Sequence, residues 1–364
     1  MTIHQTATAG LDGVTAAITR LSHVDGEAGE LIIAGRHVGD LAAAKSFEGA
    51  TALLWNAAGR ETGLATLRVE LAEARLAAFL RLPAVLPATK GLPIPEGFRA
   101  GVAAIARQDG LADELTIAGA MPVLAAALVR QANGLAPVAP DARLGQAADL
   151  LRMLRGAPAS EAEAEALGAY LVTVSDHGMN ASTFAARVVA STQADLFMAV
   201  TAAYCALSGP LHGGAPGPVL DMLDAIGSAD NIAAWIDTAL ARGDRLMGFG
   251  HRVYKVRDPR ADVLKAALGR LGAGRADLGF AAEVEAYARE ALARAKPGRR
   301  LDTNVEFYTA ILLGALGIPR EAFTPVFAVG RTAGWIAHAI EQQRTGRLLR
   351  PASVYTGPMP GTAG

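Results

Sequence analysis

The chain is short of cysteine, net charge, targeting signals and long apolar runs. A single cysteine, Cys205, rules out an intrachain disulfide and any zinc site built on several thiolates. It stands in the apolar run 202-AAYCAL-207 and reads as a small buried hydrophobe. A net charge of −1 argues against a general nucleic-acid or polyanion binder. The start, MTIHQTATAGLDGV, has no basic segment followed by an apolar core, so it is not a signal peptide. No stretch reaches the roughly 18 uncharged apolar residues of a membrane span. These absences lead to the expectation of a soluble cytoplasmic protein with neither membrane nor nucleic acid as partner. No fixed-period repeat, low-complexity tail or G-x-S-x-G elbow is found.

What is present is helix. With 364 residues, 51% hydrophobic and 19% charged, the chain can bury a large core and is long enough for two or three domains. Apolar positions recur at three and four. Val263, Leu264, Ala267, Leu268 and Leu271 form one stripe, and Val284, Tyr287, Ala288, Ala291 and Leu292 form another. Glu285–Arg289 and Glu290–Arg294 are spaced to pair on the outer face of the second. The stretch 306–319 stops at Gly317 and Pro319, and 324–346 stops at Gly346. The best strand signal is 30-ELIIAGRHV-38, a possible hairpin; the proline-rich stretches 82–95 and 135–141 read as loops. Two segments rich in small residues, 181–192 and 197–209, suit close helix packing, within one subunit or across a dimer.

Four stretches carry chemistry. In 175-SDHGMNAST-183, His177 lies between Asp176 and Gly178, and Asn180 is placed to cap a helix. In 208-SGPLHGGAPGPVLDML-223, His212 is crowded by glycines and prolines, as suits an imidazole held on a turn against a ligand. In 247-MGFGHRVYKVRDPRA-261, Gly248 and Gly250 precede His251, and Arg252, Lys255, Arg257 and Arg260 follow. No strand precedes this G-x-G, so it opens no dinucleotide fold. Cations after a glycine-flanked histidine suit an anionic ligand, with the Arg260 fork aimed at a carboxylate. In the fourth, Glu306 stands at a helix start and Arg331 inside an otherwise apolar helix, where an arginine is paired or ligand-bound. Metal readings fail: His338 and Glu341 make one HxxE with no second copy. Three loop histidines, one carboxylate and several placed arginines suit general acid–base chemistry on a small polycarboxylate.

The chain resembles the citrate synthases of the shorter bacterial type. The resemblance is carried in order by 175-SDHGMNASTFAARVVAST-192, 207-LSGPLHGG-214, 248-GFGHRVYKVRDPRA-261, 304-NVEFYTAILLGALGIP-319, 323-FTPVFAVGRTAGWIAHAIEQ-342 and 347-RLLRPASVYTGP-358, with a weaker match at 11–35. It implies an all-α, two-domain homodimer. Residues 1–213 plus 320–364 would form the large domain, and 214–319 a small domain that closes over the site. By position, Glu306 would be the base that deprotonates acetyl-CoA. His212 would hold the thioester oxygen, and His251 would donate to the ketone of oxaloacetate. His177, Arg260 and Arg331 would bind oxaloacetate carboxylates, with Arg350 reaching in from the other subunit. Lys255, Gly248 and Gly250 are the candidates for coenzyme A contacts. No metal or resident cofactor is implied; acetyl-CoA is a co-substrate.

One departure matters. The family's carboxylate in NV-x-FY is aspartate, and here it is Glu306. The extra methylene moves the acid outward, and a displacement of about 1 Å can cost on the order of a hundredfold in rate. The segment 34-AGRHVGDLA-42 also departs from the family's RGY-type run, which leaves Arg36 and His37 as structural residues. The nearest alternative is 2-methylcitrate synthesis from propionyl-CoA, one methylene away in the acyl pocket. A further alternative is a weakly active paralogue that binds acyl-CoA or a dicarboxylate.

Overall fold

A computed structural model describes residues 9–360 apart from 12, 214, 215, 252, 273–277 and 359. Gly214, at the expected domain boundary, and Arg252, among the cations after His251, lie outside the described residues. The order is β1 (Ser22–Asp25), β2 (Glu30–Ile33), β3 (Arg36–His37), α1 (Val38–Ala44), α2 (Phe47–Ala58), α3 (Leu64–Thr89), α4 (Ile94–Ala103), α5 (Asp113–Ala132), α6 (Gln146–Arg155), α7 (Glu161–Thr173), α8 (Ala181–Ser191), α9 (Leu196–Leu207), α10 (Pro216–Ile226), α11 (Ile232–Ala241), α12 (Pro259–Arg270), α13 (Leu278–Ala295), α14 (Val305–Ala315) and α15 (Phe323–Thr345). The fold is all-α, as expected, with one small antiparallel sheet.

The core forms around α5 and α15. Helix α5 is buried from Leu115 to Val129 and packs on α3, α4, α6 and α15. It is long and apolar enough to cross a membrane, yet 83% of its apolar window is buried inside the protein. The expected loop at 82–95 is largely helix: α3 runs through Pro83 and Pro87 to Thr89. Both prolines are on its exposed side, while Leu82 and Thr89 are buried. Gln131 on α5 donates from Nε2 to the Leu86 carbonyl at 2.9 Å and accepts from Thr89 Oγ1 at 2.9 Å. Tertiary packing overrides the local breaker here.

The expected hairpin is β2–β3, with Ile32 opposite His37; β1 adds a third strand, with Ser22 opposite Ile33. Arg36 and His37 are exposed in β3. The β1–β2 turn seats against residues 253–257: Lys255 N donates to Gly26 O at 2.8 Å, and a Cβ on Gly26 would lie 2.2 Å from Val253 O. Helices α10 to α14 pack on one another, α10 and α12 on α14, and α11 on α13, while α12 also lies against α1 and α7.

Two expectations are corrected. Cys205 is exposed. The buried face of α9 is Leu196, Ala199, Val200, Ala203, Tyr204 and Leu207, and Cys205 falls outside that stripe. Glu285 is buried, not on an outer face: it accepts from Arg257 Nη1 (2.8 Å), Lys265 Nζ (2.9 Å) and the Tyr308 hydroxyl. Arg289 pairs instead with Asp302 at 2.9 Å, and only the Glu290–Arg294 pair forms, at 3.9 Å.

Candidate active site

Three helix starts and three loops meet around the predicted histidines. Helix α7 ends at Thr173, and the chain turns through 175–178 into α8, capped by Asn180, whose Oδ1 accepts from Ser182 N and Thr183 N. Asn180 therefore does cap a helix, and the turn it helps build carries His177. Gly178, at φ +55°, donates from its N to Ser22 Oγ at 3.0 Å. A Cβ on Gly334 of α15 would stand 2.3 Å from Ser175 O, so α15 presses directly on this loop. Asp176 accepts from His338 Nε2 at 3.1 Å, and His338 Nδ1 accepts from Arg187 Nε at 2.8 Å, which fixes the imidazole as a neutral bridge. Glu341 pairs with Arg187, so the HxxE motif is spent on buried structure. Among the described residues no cluster of three metal-ligating side chains occurs.

His177 is buried and its Nε2 lies 3.1 Å from the Tyr254 hydroxyl. Its ring meets the His251 ring edge-on at 5.7 Å. Burial, then the Arg260 and Arg331 charges, hold it well below the usual histidine range. His212 sits on the turn after α9, where Gly213 N donates to Leu207 O at 2.8 Å. A Cβ on Gly213 would lie 2.6 Å from that same carbonyl, so at least one of the crowded glycines is sterically required. His212 Nε2 lies 2.9 Å from Ser182 Oγ. That hydroxyl accepts from Trp335 Nε1 at 3.1 Å and lies 2.7 Å from Asn180 Oδ1. It has one proton for two acceptors; given to His212 Nε2, it leaves the imidazole proton on Nδ1.

The third site loop is pinned to the start of α14. Gly250 N donates to Asp302 O (2.8 Å), Asn304 N to Gly248 O (3.0 Å) and Asn304 Nδ2 to Gly250 O (2.7 Å). Gly248 and Gly250 have φ of +85° and +79°, and a Cβ on either would meet Phe307 or Leu301 at 2.9 Å. These glycines serve backbone approach. His251 Nδ1 accepts from Val253 N (3.0 Å) and Tyr254 N (3.1 Å), so the neutral ring carries its proton on Nε2. Arg260 Nη2 lies 3.3 Å from that Nε2. Two donors cannot bond each other, but an oxygen within reach of both would accept from both. Asp258 caps α12 and grips Arg260 through Nε (3.0 Å) and Nη2 (2.8 Å), and it also accepts from Val305 N at 3.1 Å. One carboxylate thus ties the first turns of α12 and α14.

Glu306 follows on α14, its N donating to the capping Asn304 Oδ1 at 3.0 Å. Burial pushes its carboxyl up to about 7, against the opposing pull of Arg260. His212 and His251 are both pushed down to about 4, first by burial and next by an arginine. Arg331 is buried on α15, donates from Nε to Val174 O at 2.5 Å, and leaves Nη1 with no partner. Burial drops it to about 10. A buried guanidinium with an unmet donor, beside a second arginine and three neutral imidazoles, is an anion receptor.

The remaining predicted residues lie apart. Arg350 is exposed on the tail after α15, where Leu349 N is held by Ser191 Oγ at 3.0 Å. Lys255 is exposed near the β1–β2 turn. A cleft of about 420 Å³ opens beside His251 and is lined by Arg245, Leu246, Phe249, Gly250, Lys296 and Arg299. Among the described residues its three cations have no ion pair. A larger hollow of about 620 Å³, lined by Lys45, Arg68, Glu165 and Arg270, holds none of the histidines. Sequence reasoning missed Ser182, Trp335, Tyr254 and the cations of the smaller cleft. Their partners are distant in sequence, and nothing local marks them.

An all-α site that pairs a carboxylate of raised affinity for protons with neutral imidazoles, a buried arginine held by Asp258 and a second with an unmet donor defines an acid–base enzyme for small polycarboxylates. Comparison with known proteins narrows this. The family described as citrate synthase, C-terminal domain, matches residues 10–352. The citrate synthase of Haloferax volcanii is 38% identical over 370 residues, covering 96% of this chain and 95% of that one. Citrate synthase 2 of Bacillus subtilis is 36% identical over 97% of this chain and 96% of its own. The Thermoplasma acidophilum citrate synthase, solved as a ternary complex with carboxymethyl coenzyme A and oxaloacetate, superposes with a TM-score of 0.85 at 29% identity over 96% of both chains. This chain belongs to the citrate synthase family, and it is an acyltransferase.

Proposed function

We propose that the enzyme condenses acetyl-CoA with oxaloacetate and water to give citrate and free coenzyme A. The observation that carries this reading is the pair of donors, His251 Nε2 and Arg260 Nη2, 3.3 Å apart, together with the buried and unmet Nη1 of Arg331. A ketone oxygen within reach of both donors accepts from them, and the carboxylates of oxaloacetate take His177, Arg260 and Arg331. Glu306 removes a proton from the acetyl methyl group. His212 donates from Nδ1 to the thioester oxygen as the enol forms, with Ser182 supplying its hydroxyl proton to Nε2. The enol carbon attacks the ketone carbon, and the new C–C bond forms as His251 supports the alkoxide. Water then cleaves citryl-CoA, the C–S bond breaks, and the thiol leaves.

Arg245, Lys296 and Arg299 fit the phosphates of coenzyme A better than the exposed Lys255 does, because they line a cleft that reaches His251. Helices α10 to α14 act as the small domain, residues 214–319, closing on the rest, residues 1–213 and 320–364. Closure excludes water from the enol. The working unit is a cytoplasmic homodimer in which the tail brings Arg350 to the partner's site. No resident cofactor enters any step.

Free thiol release, measured with oxaloacetate and either acetyl-CoA or propionyl-CoA, tests the reading. Saturating turnover with acetyl-CoA preferred is expected; a propionyl-CoA preference moves the enzyme to methylcitrate synthesis, and thiol release from neither sinks the proposal. His212→Ala should lower turnover by at least about a hundredfold, the usual worth of one such donor. Oxaloacetate binding, followed by calorimetry, should stay close to wild type.

A further inference from the structure

The phenol of Tyr170 is fully buried and its oxygen has no hydrogen-bond partner. A buried hydroxyl left unmet costs free energy comparable to a lost hydrogen bond, so one retained beside an active site calls for an acceptor. Tyr170 stands near the end of α7, which packs against α12, α14 and α15. Helix α15 comes so close that a Cβ on Gly330 would lie 3.0 Å from Leu171 O, next in sequence to Tyr170. The charges that act on the phenol come from those three helices: Glu306, Arg331 and Arg260.

Of the other acids on helices packed against α7 and α14, Asp40 on α1 is exposed, and those that follow have partners. Glu48 on α2 accepts from Gln146 N, and Asp149 on α6 from Arg75 and Arg152. Asp221 and Asp224 on α10 are taken by Arg320. Asp258 is taken by Arg260 and Val305 N. Among the described residues, only the Glu306 carboxylate combines negative charge, this shared space and no hydrogen-bond partner. Arg260 and Arg331 offset its charge. Once a dicarboxylate occupies both arginines, that offset is lost, and a neutral donor becomes the better partner.

We propose that Tyr170 is a positioning residue for Glu306: with the dicarboxylate bound, its phenol donates to one carboxylate oxygen and holds the other toward the acyl methyl group. The proposal rests on Glu306 as the base. Tyr170→Phe in the full chain removes one oxygen that the resting fold leaves unbonded, so thermal stability should not fall. Turnover at saturating substrates should drop about 10- to 100-fold, as expected for a base displaced by a fraction of an ångström to 1 Å. Oxaloacetate affinity should stay within about twofold. The phenol favours the ionised carboxylate, so its loss should move the acid limb of kcat to higher pH. In a Glu306→Gln background the same change should cost less than about twofold, because the two residues act as one unit.

Unchanged turnover and an unmoved acid limb in Tyr170→Phe would make the phenol part of the core alone. Weakened oxaloacetate binding with an unmoved limb would make the substrate its partner. Undiminished loss in the Glu306→Gln background would also overturn the pairing. An inactive wild-type enzyme, or full turnover by Glu306→Gln itself, would instead overturn the assignment of the base, and the pairing with it.

Discussion

At the scale of the residue, the proposed base Glu306 carries the pH prediction. Its carboxyl titrates near 7 in the fold and near 4.5 when unfolded. As base it must be ionised, so kcat/KM should fall about tenfold per pH unit below about 7. His212 and His251 titrate near 4 and add no step above pH 5, and burial holds His177 well below the usual histidine range. Stability runs the other way. Between 4.5 and 7 the folded protein holds the proton and the unfolded chain does not, so stability is lost as pH rises through that window. Glu306→Gln should therefore lower turnover by about 10²–10⁴ while stabilising the fold at pH 8. The gain is on the order of 1–2 kcal/mol, discounted for the water that reaches the side chain, and should vanish below pH 4.5. Thiol release and thermal melts across pH measure both, and a variant less stable at pH 8 would contradict the burial cost. His212, His251, Arg260, Arg331 and Glu306 were legible because glycines, turns or an apolar setting mark them. Ser182 and Trp335 were not, since one hydroxyl joins residues 30 and 153 positions apart.

At the scale of the element, the site is an assembly of capped helix starts. Asn180, Asp258 and Asn304 cap α8, α12 and α14, and each cap lies next to a residue of the site. Capping is a local signal, which is why the Asn180 cap in 175–183 could be read in advance. The helix through Pro83 and Pro87 could not, because α4 and α5 hold it by packing the local sequence does not report. Strand β1 was missed for a similar reason: only β2 makes its four residues a strand. Asp258 shows what the caps do. It holds the Arg260 fork and Val305 N together, and Asp258→Asn would leave a buried guanidinium without its charge partner. Breaking one side of a buried pair costs about 3–5 kcal/mol. The variant should melt at lower temperature, and oxaloacetate should raise its melting point more than the wild type's, since a bound carboxylate replaces the missing charge. Equal ligand shifts in the two proteins would argue that Arg260 does not face the substrate.

At the scale of the molecule, one chain leaves both a residue and a surface unexplained. Arg350 is exposed on a tail that also exposes Leu348, Val354 and Tyr355, at 57%, 69% and 68%. On α9, Met198 is 60% exposed and Cys205 is exposed as well. Small residues on that segment were legible, but which copy they pack against was not, because periodicity marks a face and never its owner. A homodimer in which the tail crosses to the partner accounts for both features, and subunit mixing separates it from the alternative. Arg350→Ala and His251→Ala should each be nearly inactive alone. If Arg350 acts across the interface, a heterodimer of the two variants has one site with His251 from its own chain and Arg350 from the other. Random pairing makes half the dimers heterodimers, each with one working site of two, so about a quarter of wild-type turnover returns. If Arg350 serves its own chain, every site in the mixture lacks one residue or the other. Thiol release after co-refolding the two variants reads the difference directly, and a mixture no more active than its components would place Arg350 outside the partner's site.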